Sequence, residues 1–100
     1  MANPAKYPMK ENTVYKIATN VTAAYINRHR TLGRDKEYIV TYRTNGGGAP
    51  SATEVKNEGV IMFQDHPEQE KITSSSGVDI YALCNKEDGK SGNGFLIVWA

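Results

Sequence analysis

His29, Asp65, His66, Glu68 and Cys84 are the side chains that could hold a metal or carry acid–base or nucleophilic chemistry. A metal site on a helix needs ligands spaced to share one face. Asp65 and Glu68 are three apart, but they flank His66-Pro67 in an acidic turn that reads as a solvated loop. No other two of these residues have that spacing. Cys84 with a histidine would make a nucleophile–base pair, but no flanking motif or third orienting group accompanies it. Its strand neighbours Val78, Ile80 and Ala82 instead predict a buried, inert thiol. Gly46-Gly47-Gly48 could cradle a phosphate, yet no Lys-Ser/Thr follows, and that chemistry needs both the amide nest and a helix start. Gly89-Lys90-Ser91-Gly92 lacks the upstream half of the same motif. The expectation is a protein without catalytic residues, metal or cofactor.

Charge narrows the partners. With 12 Lys+Arg against 11 Asp+Glu the chain is almost neutral, whereas nucleic-acid binding calls for a basic excess. The dense charge feature is the run holding Arg28, His29, Arg30, Arg34 and Lys36. It is expected to be either a solvated loop or a docking patch for an acidic protein or glycan surface, because arginine offers carboxylates a planar fork of donors. Tyr38 and Tyr42 share a strand face; they could line a sugar groove, with the core as the alternative. No apolar run approaches the ~18 residues that span a bilayer, so a soluble chain without a membrane partner is expected. The first residues lack the apolar core of a signal peptide. A single cysteine excludes an intrachain disulfide.

The elements that would position these groups read as strands. Thr13 to Ala18 and Val21 to Ile26 form two short runs, joined at Thr19-Asn20 by a bend or bulge. From Lys36 to Thr44, Tyr38, Val40 and Tyr42 alternate with Ile39, Thr41 and Arg43, which is the period of a half-solvated strand. Asn45 to Ser51 reads as a long loop. Gly59 to Gln64 is a short buried strand, and Lys71-Ile72-Thr73 a brief edge strand. Ser74-Ser75-Ser76-Gly77 reads as a turn into the strand from Val78 to Cys84. A polar turn then leads to Gly94-Phe95-Leu96-Ile97-Val98-Trp99-Ala100, predicting a closing hairpin. No amphipathic helix is evident. One hundred residues suit one domain. The predicted architecture is all-β: a single small antiparallel β-sandwich or barrel over 12–100, preceded by an extended arm over 1–11.

Four segments carry a family likeness: Val14-Tyr15-Lys16-Ile17, Gly59-Val60-Ile61-Met62-Phe63, Ser76-Gly77-Val78-Asp79-Ile80-Tyr81-Ala82 and Gly94-Phe95-Leu96-Ile97-Val98-Trp99. In their order and in the closing third the chain resembles small all-β bacteriophage virion proteins, which decorate capsids or occupy tail and fibre attachment points. That resemblance implies a non-enzymatic structural protein on the virion surface, made in the host cytoplasm. It implies a major capsid protein or another virion protein as partner, and a homo-oligomer, with a trimer as one form. The contacts would come from Arg28, His29, Arg30, Arg34 and Lys36, and from Lys6 and Tyr7 on the arm. A carbohydrate-binding or adhesion module is the alternative.

Overall fold

The computed structural model describes residues 4–28, 37–62, 69–85 and 94–100. Among them are six strands and one helix: β1 (Ala5–Met9), β2 (Val14–Arg28), β3 (Glu37–Thr44), α1 (Ala52–Glu58), β4 (Val60–Met62), β5 (Gln69–Asn85) and β6 (Gly94–Trp99). The strands form one sheet in the order β1-β6-β2-β5-β3-β4, and every neighbouring pair is antiparallel. The all-β expectation holds, with an open sheet in place of a closed barrel.

Two long strands organise the sheet. The first half of β2 pairs with the second half of β5, from Val14 opposite Leu83 to Ala18 opposite Ile80. Its second half pairs with the start of β5, from Ala23 opposite Thr73 to Asn27 opposite Gln69. Between them the ladder is broken. While β2 advances from Val21 to Ala23, β5 runs back from Val78 to Thr73, so Ser74 to Gly77 are carried as a bulge. Asn20, with φ 50, supplies a left-handed residue on the facing strand. Bulges bend strands and increase their twist. Here they let the β1-β6 end of the sheet lie over the β3-β5 end.

The core fills the space between those ends. Met9, Ala24, Ile26, Leu96 and Val98 pack with Ile17, Tyr38, Val40, Ile80, Ala82 and Cys84 in one cluster. The approach is closest where β6 begins: a Cβ on Gly94 would stand 2.7 Å from both Cys84 Sγ and Tyr38 Cε1. The Phe95 N–H donates to the Tyr38 hydroxyl at 2.8 Å, tying the two ends together. On the reverse face α1 covers a smaller patch, with Val55 seated on Ile39 and Leu83.

Several sequence expectations change. The two runs before Asn27 are one bulged strand, and the serine-rich turn is a bulge inside β5. Strands β5 and β6 do not make a hairpin, because β2 lies between them in the sheet. Their contact is face to face across the core. The arm is extended as expected but paired: β1 lies along β6 from Ala5 opposite Val98 to Met9 opposite Gly94, and Met9 is wholly buried. Its apolar residues gain more from covering the sheet edge than from solvent. Residues 52–58 form a helix that the alternation reading missed. Ser51 caps it, its hydroxyl accepting from Glu54 N–H while the Glu54 carboxylate accepts from Ser51 N–H.

Candidate functional site

The outer face carries a carboxylate that most strands would not tolerate. Asp79 lies between Val78 and Ile80 on β5 and is 2% exposed. An ionised group so enclosed persists only with charge-assisted partners. They come from three directions. Asn45 Nδ2 donates to Oδ1 at 2.8 Å, and the Asn20 N–H donates to the same oxygen at 2.9 Å. The Gly46 N–H reaches Oδ2 at 3.3 Å, and Lys16 Nζ lies 3.6 Å from Oδ2. These donors hold the carboxyl well below its usual range, from 3.8 down to about 2, with the Asn45 bond the largest cause. Asp79 is therefore a constant anion near neutrality.

Its partners are placed by the fold. Lys16 sits opposite Tyr81 in the β2–β5 ladder, its ammonium 5.9 Å from the ring centroid. Asn45 follows β3, and its N–H also donates to the Gly77 carbonyl. Gly46 and Gly48 have φ of 81° and 87°, a conformation glycine adopts without a Cβ penalty. The glycine run is thus a turn docked on Asp79. Val14, Lys16, Gly46, Gly48, Asp79 and Tyr81 border an open cleft of about 550 Å³.

A second feature lies at the sheet edge. Tyr42, Val60 and Ile61 are 52%, 51% and 46% exposed. Tyr42 and Val60 share one face of β3 and the edge strand β4, and Ile61, opposite Ile39, turns to the other face. A groove of about 250 Å³ runs between Val40, Tyr42 and Val60 on one side and Lys71, Ile72 and Thr73 on the other. At the end of α1, Arg43 is ion-paired with Glu54 and Glu58, and Thr41 Oγ1 donates to Glu58 at 3.3 Å. These pairs keep the Arg43 guanidinium charged, raising its pKa through the Glu58 bond first.

The residues expected to act fall differently. Arg28 is 4% exposed: it follows Ala24 and Ile26 in the period-two face of β2 that turns to the core. It is opposite Leu96 in the ladder and does not belong to an exposed patch. His29, Arg30, Arg34 and Lys36 lie outside the described residues, as do Asp65, His66 and Glu68. Lys6 is exposed on β1, whereas Tyr7 is half-buried and packs on the core cluster. Cys84 is a buried thiol, and Tyr38 is a fully buried core residue, which removes it from any sugar groove. Among the described residues no three His, Cys, Asp or Glu side chains are grouped as metal ligands would be.

The Asp79 cluster was missed by motif reading, although one signal existed: a lone carboxylate inside Val78-Asp79-Ile80-Tyr81-Ala82 must find donors if that strand is buried. No protein-family model, curated protein or solved structure matches the chain.

Proposed function

We propose that this protein is a non-catalytic assembly module, a bacteriophage virion structural protein that docks on the outer capsid shell as a decoration or cement protein. The supporting observation is the edge strand β4, which exposes Val60 on one face of the sheet and Ile61 on the other. A sheet edge presents unpaired backbone donors and acceptors, and soluble proteins ordinarily blunt it with proline, lysine or a bulge. Strand β4 reads Val60-Ile61-Met62, without proline, lysine or a bulge, and its three-residue length is what limits the open edge. An edge strand with apolar side chains exposed on both faces is a template for pairing with a partner strand. The charged groups near β4, Glu58 and Lys71, would set orientation on a shell surface. Many copies on a repetitive shell make weak individual contacts sufficient through avidity.

The test is co-sedimentation of the purified protein with capsids assembled without it, from the same genome. Saturable binding at a symmetry-related copy number, lost in Ile61→Lys, is the expected result. Absence of binding overturns the reading. The exposed Tyr42 ring beside the groove favours a glycan-binding module as the second reading, and a glycan array decides that case.

A further inference from the structure

The Asp79 carboxylate holds two groups that can react with each other. Lys16 Nζ is 3.6 Å from one of its oxygens and Asn45 Nδ2 is 2.8 Å from the other. The amine stands on β2 and the carboxamide just beyond β3. An amine and a primary amide bridged by one carboxylate have what an acyl transfer needs: a nucleophile, an acyl carbon with a small leaving group, and a proton relay between them. From this geometry we propose that Lys16 and Asn45 form an intramolecular isopeptide bond, with Asp79 relaying the proton.

The step balances without an oxidant or co-reactant. The Lys16 ammonium first gives a proton to water. The neutral Nζ attacks Cγ of Asn45, the Nζ–Cγ bond forms and the Cγ–Nδ2 bond breaks. Asp79 takes one proton from Nζ and delivers it to Nδ2, which departs as ammonia. The carboxylate ends as it began. Asp79 is buried and fixed by the Asn20 and Gly46 amides, so the relay is held in place while the lysine side chain, 45% exposed, turns onto the acyl carbon. Asp79 and the Tyr81 ring are the groups set beside Lys16. Only a neutral amine is a nucleophile, so alkaline solution favours the step. The bond would join the glycine turn covalently to β2, a cross-link in a chain that cannot make an intrachain disulfide.

Intact-mass measurement on the full-length protein tests this, before and after incubation near neutrality and in alkaline buffer. The expected result is loss of the mass of one ammonia, faster at the higher pH. Tandem spectra should show the peptide of Lys16 joined to that of Asn45. Lys16→Arg keeps the charge beside Asp79 but removes the nucleophile; it should fold, by circular dichroism, and keep its full mass. Asp79→Asn should slow the reaction if the variant folds. An unchanged wild-type mass at both pH values overturns the proposal. So does the small mass gain of asparagine hydrolysis, or an ammonia loss that persists in Lys16→Arg, which would signal a succinimide at Asn45-Gly46.

Discussion

Asn20 and Gly77 face each other across the break in the β2–β5 ladder, and the Asn20 side chain occupies the space a side chain on Gly77 would need. A Cβ there would collide with Asn20 Oδ1. Asn20 is itself left-handed and donates its N–H to Asp79. The bend of the sheet therefore rests on one small residue, one asparagine and one carboxylate.

Gly77→Ala should test the close approach. The added methyl forces the Asn20 side chain to turn away, although the bond to Asp79 is made by the Asn20 backbone N–H. Overpacking of this kind costs about 1–3 kcal/mol. Urea unfolding should show a lower midpoint with an unchanged slope. An unchanged midpoint would mean that Asn20 can move aside freely.

Asp79 should make the fold acid-sensitive. Its folded pKa, about 2, is depressed below the ordinary 3.8. A depressed carboxyl contributes stability that is complete above the unfolded pKa and is lost as pH falls through the folded one. The melting temperature should thus decline between about pH 4 and pH 2. In Asp79→Asn that portion of the decline should be absent, and the melting temperature at neutral pH should be lower than wild type.

The short helix should depend on its cap. Ser51→Ala removes the acceptor for the Glu54 N–H and half of a reciprocal pair. Loss of an N-cap costs about 1 kcal/mol. The loss should appear in thermal unfolding, and Ser51→Asp should recover most of it.

The edge strand should bind without supporting the fold. Ile61→Lys places a charge on a residue already half in water, and such surface changes stay within about 0.5 kcal/mol. Stability should hold while capsid co-sedimentation falls. A variant that binds normally would remove β4 from the interface.

The strands were legible because β-branched and aromatic runs stand between turn residues. The alternation of Tyr38, Val40 and Tyr42 with Ile39, Thr41 and Arg43 misled about burial. Strand β3 is buried on both faces from Tyr38 to Thr41, where α1 covers the second face, and Tyr42 is exposed. Which strands pair was not legible. Cys84 and Gly94 are separated by a polar, glycine-containing stretch that resembles a hairpin turn, but pairing is decided by which apolar edges meet, and β2 fills the place between β5 and β6. Ser74 to Gly77 has turn composition and lies within a strand, because a bulge uses the same residues as a turn. The helix was hidden by its length: seven residues give a single buried side chain, Val55, and no periodicity to read. Its Ser51-Ala52-Thr53-Glu54 capping box was the available signal. The Asp79 cluster draws its donors from sites as far apart in the chain as Lys16 and Asn45, and no local pattern announces that.

The strand order carries a kinetic consequence. Among the described residues, β3 and β4 alone are neighbours both along the chain and in the sheet. The pairings that shape the molecule bring Val14 to Leu83, Tyr25 to Trp99 and Ala5 to Val98. Each closes a long loop before any contact repays the lost chain entropy. Folding cannot zip outward from a tight hairpin and must wait for distant segments to meet, which places it with all-β domains that fold over roughly milliseconds to seconds. A nascent chain would hold β2 without its partners until β5 and β6 had been synthesised.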